Sequence, residues 1–102
     1  MAPFRAAFDL YAKSLDAAGV LVHADVLEPA AMSTTVSLRN GERAIQDGPF
    51  ADTKEKLAGL FVVEVADLDA AIDWAARCPG STYGTMEIRP SATRFVDGAW
   101  RN

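Results

Sequence analysis

The chain has 102 residues, half of them hydrophobic, a formal net charge of −4 and an isoelectric point near 4.8. That length fits one small domain, residues 1–102, with a real but modest core. The ten Lys and Arg are scattered, so the basic footprint of a nucleic-acid binder is missing, and no apolar run approaches the roughly 20 residues that span a bilayer.

Residues 3–18 read as a helix. Pro3 suits a first-turn position, where its missing N–H costs nothing. Phe4, Phe8, Tyr11 and Leu15 fall on one helical face, and Gly19 is a natural stop. Arg5, followed by alternating apolar and polar residues, does not read as a secretory signal. Residues 20–27 read as a strand whose Val20, Val22, Ala24 and Val26 face the core. His23 and Asp25 lie on its mixed face.

After a loop at 28–31, residues 32–38 form a second strand, rich in Thr and Val. Asn40-Gly41 is a strong hairpin signal, and residues 42–46 pair back. Residues 47–56 form a loop with room for one helical turn. Residues 59–66 (GLFVVEVA) are almost wholly apolar, as expected of a central buried strand. Residues 67–77 make a second helix with Asp67 as N-cap, Asp69 in the first turn, and Leu68, Ala71, Ile72 and Ala75 as its buried stripe. Pro79 and Gly80 end it.

The single cysteine, Cys78, has no internal disulfide partner, which points to a reducing cytoplasm. It sits at a helix end, where the dipole disfavours a thiolate, so no nucleophile is expected there. Trp74, Met32 and Met86 read as packing residues. Residues 85–89 form a last strand, stopped by Pro90. The tail from 91 to 102 carries Phe95, Val96 and Trp100, too apolar for a solvated end. The order is helix, strand, hairpin, strand, helix, strand. It gives an α+β fold: most of a ferredoxin-like sandwich, β-α-β-β-α-β, with an extra short strand and without the first one.

Residues 47–55 read Asp-Gly-Pro-Phe-Ala-Asp-Thr-Lys-Glu. A Gly-Pro turn here holds ionisable groups beside an aromatic ring. With Ala18-Gly19-Val20-Leu21, Leu27-Glu28-Pro29, Thr34-Thr35-Val36, residues 59–65, Asp67-Leu68-Asp69, Trp74-Ala75-Ala76 and Glu87-Ile88-Arg89-Pro90, the chain resembles the YCII-related family, often called DGPF-domain proteins, over nearly its whole length. The resemblance implies a protein of the dimeric α/β-barrel type: a homodimer of ferredoxin-like protomers, sheets face to face around a cavity, with a site beside the 47–55 loop. It implies a fold more than a reaction.

Family members usually open with a hydrophobic strand. Here Met1 stands almost at the helix start, so either the chain is trimmed or its start lies upstream. A sheet without that strand has an open backbone edge, and the tail at Thr93-Arg94-Phe95-Val96 is expected to cover it or to swap onto a partner.

Asp47 reads either as a general base or polar anchor facing the cavity, or as an Asx-type turn residue bonding its own loop. Phe50 reads as a plug beneath the loop or as a stacking surface for a ligand. Asp52 or Thr53 can cap a helical turn while Lys54 pairs with Asp47 or Glu87. Such a pair poises a base if buried and contributes little at the surface. His23, the only histidine, is the natural proton carrier, and Asp25 shares its face. Some relatives are thought to use a His-Asp pair, but with a histidine near the first helix, so that role is not carried over. An interfacial structural histidine is the plainer reading. Glu87 and Arg89 share a face of the last strand, and Arg89 suits a carboxylate or phosphate or an ion pair with the 47–55 loop.

Three functions fit. One is a small-molecule-binding or accessory protein with a ligand near Phe50, Lys54, Glu87 and Arg89. Another is a cofactor-free lyase or isomerase using Asp47 or His23 as proton carrier. The third is a regulatory partner of transcription proteins, since family domains occur fused to sigma-factor-like chains. The sequence holds no nucleotide loop, metal-ligand cluster or nucleophile–base pair, so no cofactor or metal is expected, and neither nucleic acid nor a membrane is expected as a partner.

Overall fold

The structure, a computed structural model, describes residues 2–50 and 57–102, with side chains from Arg5 onward. Its elements are α1 (Ala2–Ala17), β1 (Leu21–Val26), a 3-10 turn (Ala30–Met32), β2 (Thr34–Arg39), β3 (Glu42–Asp47), β4 (Gly59–Val63), α2 (Leu68–Arg77), the short α3 (Gly80–Tyr83), β5 (Arg94–Val96) and β6 (Ala99–Arg101). They fall into two compact units. A helical unit comprises Met1–Val20 and Glu64–Asn102, and a strand unit comprises Leu21–Val63.

In the helical unit, α1 ends where Gly19 predicts. Val20 N–H donates to Leu15 C=O and Gly19 N–H to Asp16 C=O, the paired bonds of a Schellman ending. Tyr11 and Leu15 are buried, as their spacing requires. α2 begins at Asp67, whose side chain accepts from Ala70 N–H at 2.8 Å. Its buried stripe differs from the expected one. Leu68 and Ile72 are exposed, whereas Trp74 turns inward and meets Tyr11 edge to face, ring centroids 6.5 Å apart. An aromatic ring removes more apolar surface from water than Ile or Leu, so the helix rolls to bury it. Phe8, Cys78 and Met86 converge on Gly80, each with an atom within 3.7 Å of where a Cβ on Gly80 would lie.

In the strand unit, two antiparallel ribbons form. β1 pairs with β4, with an irregularity between Leu21 and His23. β2 pairs with β3 through the Asn40-Gly41 turn, both residues at positive φ. Gly59 is required by close approach, because a Cβ there would lie 2.6 Å from the backbone oxygen of Asp25.

Three expectations are corrected. β4 has a ladder partner on one side only among the described residues, so it is an edge strand, not a central one. β1 is exposed along most of its length, not half-buried. Residues 85–89 form no strand. Alternation marks a face and β propensity marks a tendency, but a strand exists only where a second backbone satisfies it.

The tail does not end as a free strand. β5 and β6 pair with each other through Asp97-Gly98, both at positive φ, and Phe95 packs edge to face on Trp100. Thr93 donates its hydroxyl proton to Arg101 C=O. The segment expected to cover a sheet edge thus forms a hairpin of its own. The Asp-Gly pair between Phe-Val and Ala-Trp carries the same turn signal as Asn40-Gly41.

Candidate functional site

Asp47 is the last residue of β3, directly opposite Thr34. The chain then turns at Gly48, which is pinned from both sides. Its N–H donates to Ser33 C=O at 2.7 Å, and its C=O accepts from the Thr35 hydroxyl at 2.8 Å. Its φ of +98° lies where a Cβ is strained, so the turn demands glycine. Among the described residues, the Asp47 carboxylate takes part in no hydrogen bond. The turn at Gly48 is held by backbone and Thr35.

Phe50 is 86% exposed. It is not the core plug expected of it. Lys54, with Asp52, Thr53 and Glu55, lies outside the described residues.

His23 projects from β1 with Nε2 3.2 Å from Asp25 Oδ2, both exposed. The two-residue spacing brings them together as the strand period predicts. His23 and Asp47 lie in separate ribbons of the strand unit, and no hydrogen bond joins them. Glu87 and Arg89, in the helical unit, pair with each other at 2.6 Å on the surface. Arg89 thus donates one N–H to a carboxylate two residues away.

One cluster escaped the sequence reading. Tyr11 donates its phenol proton to Trp74 C=O at 2.8 Å, and the Arg77 guanidinium lies 3.8 Å from the Trp74 ring centroid. Burial, then the nearby Cys78, push the Tyr11 pKa upward against the opposing pull of Arg77. Burial likewise raises the Cys78 thiol, against a lowering backbone hydrogen bond from Gly80. Cys78 is thus a protonated, enclosed thiol that helps fill the core. The available signal was Tyr11 on a buried stripe, since a buried phenol needs an acceptor. Among the described residues no group of three or more His, Cys, Asp and Glu could hold a metal ion, and no helix is long and apolar enough to cross a membrane.

The family model of the YCII-related domain matches residues 2–92, through the Asp47-Gly48-Pro49-Phe50 turn and the Glu87-Ile88-Arg89-Pro90 segment. The chain belongs to the YCII-related family. The uncharacterized protein R00369 of Rhizobium meliloti (strain 1021) is 38% identical to it over 68 residues, 65% of this chain and 55% of that protein. The chain therefore spans little more than half the length of that relative. For a YCII-related protein the geometry supplies two exposed polar stations in the strand unit. One is the His23–Asp25 pair. The other is a rigid turn presenting the Asp47 carboxylate and the Phe50 ring.

Proposed function

We propose that this YCII-related protein is a small-molecule-binding or accessory protein. In this reading it is a single ferredoxin-like domain, working in the cytoplasm as a homodimer of the dimeric α/β-barrel type, with its ligand beside the turn after β3. One observation carries the reading. Gly48 is fixed by two hydrogen bonds that belong to the backbone and Thr35, which leaves the Asp47 carboxylate without a hydrogen bond among the described residues and Phe50 exposed, on either side of a pinned turn. An apolar ring and an acceptor on a preorganised loop are what a small ligand with a donor group needs.

Native mass spectrometry of the protein from its own host tests this, because it reports the oligomer and any retained molecule together. The expected result is a dimer carrying added mass that is lost in Phe50→Ala and in Asp47→Asn. Asp47→Asn should leave stability within about 0.5 kcal/mol, as for a surface change away from structural contacts. An empty protein, with no thermal shift across a panel of small polar metabolites, would overturn the reading.

A second reading, a cofactor-free lyase or isomerase, is favoured by the His23–Asp25 contact, which orients an imidazole toward solvent. Turnover of a retained molecule that is lost in His23→Gln, with binding kept, would establish it. Equal turnover in that variant would exclude His23 as the proton carrier.

A further inference from the structure

The hairpin of β5 and β6 sets two like charges against each other. Arg94 lies directly opposite Arg101, and Phe95 opposite Trp100. Opposed residues share a face, and successive pairs alternate between faces. Arg94 and Arg101 therefore stand on one side with Val96 and Ala99, and the aromatic pair on the other. The two-residue turn at Asp97-Gly98 makes Val96/Ala99 a hydrogen-bonded pair. The next pair of that kind is Arg94/Arg101, whose Cα atoms are then about 5.5 Å apart. Like charges directly opposite one another are destabilising. Neither guanidinium has an ion-pair partner among the described residues.

The rest of the hairpin holds that arrangement in place. Phe95 and Trp100 fasten the far side edge to face, ring centroids 5.2 Å apart. Asp97 and Gly98, both at positive φ, supply the turn. The Thr93 hydroxyl donates to Arg101 C=O at 3.1 Å and closes the open end. Arg101 Nε donates to Val96 C=O at 3.2 Å. That bond tethers the guanidinium and leaves the four N–H donors of its two terminal nitrogens. All of these contacts lie within residues 93–101, and none involves the strand unit. The segment also lies beyond the family match, which ends at residue 92.

We propose that Arg94 and Arg101 form an anion clamp for a phosphate group, free or carried by a small metabolite. Guanidinium forks match phosphate oxygens in bidentate geometry. A phosphate dianion between the two side chains offsets both charges and turns their repulsion into shared attraction, whereas a single carboxylate offsets one. Because the aromatic pair, the turn and the Arg101 tether already hold the strands in register, little ordering remains for the ligand to bring about. The clamp is separate from the turn after β3, so the two readings stand or fall independently.

Titration of the full chain with inorganic phosphate tests the clamp, with chloride holding ionic strength constant and the arginine Nε–H resonances followed by NMR. The Arg94 and Arg101 signals should shift together and saturate, while those of Arg39 and Arg43 stay in place. Acetate should bind roughly ten-fold more weakly than phosphate. Arg94→Gln should weaken phosphate binding about ten-fold. Without phosphate the same variant should be no less stable than the native protein, because an opposition of like charges is removed. Arg94→Lys keeps the charge, loses the fork and should fall between the two. An equal shift of all arginine signals, equal binding of phosphate and acetate, or native phosphate binding by Arg94→Gln would overturn the proposal. So would a loss of stability in Arg94→Gln, since that would make the residue a structural one.

Discussion

The two units of this chain dispose of their apolar residues in opposite ways. In the helical unit the stripe of α1 finds a cover: Leu15 and Cys78 are enclosed, and the Tyr11 ring rests against Trp74. In the strand unit Val36, Leu38 and Ile45 stay in water on a well-formed ribbon. The difference lies in the backbone. A helix satisfies its own hydrogen bonds and needs only a cover for one stripe. A two-stranded ribbon leaves an open edge on each strand and one apolar face uncovered, and it is marginal by itself. The helical unit thus encloses its stripe by itself, whereas the strand unit, taken by itself, does not enclose its apolar face.

The largest expected effect sharpens the helical side of that contrast. Leu15→Ala empties a fully enclosed site and should cost about 2–5 kcal/mol in urea unfolding. A loss below about 1 kcal/mol would mean that the enclosure is loose and the contrast is overdrawn. On the strand side, Gly59→Ala drives a Cβ against the backbone of β1, and main chain cannot swing away as a side chain can. A cost of about 1–3 kcal/mol is expected, with loss of protection at β1 and β4 amides. Unchanged stability would show that the β1–β4 register is soft. Asp67→Ala removes the cap of α2 and should cost about 1 kcal/mol while sparing the strand unit's amides.

The smallest effect is a pH dependence confined to the helical unit. Cys78 and Tyr11 are raised from ordinary values of 9.0 and 10.0, chiefly by burial. The folded state thus holds these protons more tightly than the unfolded chain. The stability they contribute is complete below the unfolded values and is lost as pH rises through the folded ones. Melting temperature should fall from pH ~9 upward, and Cys78→Ala should delay the onset. A flat alkaline profile would contradict the enclosure of both groups.

How much was legible in the sequence follows the same division. Local signals were readable: the Gly19 ending, the Asp67 cap, the Asn40-Gly41 turn and the His23–Asp25 pairing each depend on residues a few positions apart. What failed depended on partners far away or on competing faces. Trp74 outweighed Leu68 and Ile72, residues 85–89 alternate but find no ladder, and 59–63 reads as central yet has one neighbour. Asp97-Gly98 was legible and was missed, because a short apolar tail invited a search for a long-range partner before a local turn. At the site, Gly48 obeyed its turn chemistry, whereas Asp47, read as the start of a loop, is the last residue of β3. The exposure of Phe50 was not legible, because a ring beside Pro reads equally well as plug or platform.

The account's central claim is that the turn after β3 presents Asp47 and Phe50 to a small ligand. Native mass spectrometry of the protein and of Phe50→Ala, both from the native host, tests it most directly. Added mass is expected on the native protein and is expected to be missing from the variant, whose exposed ring is removed. Equal added mass on both, or none on either, would contradict the claim.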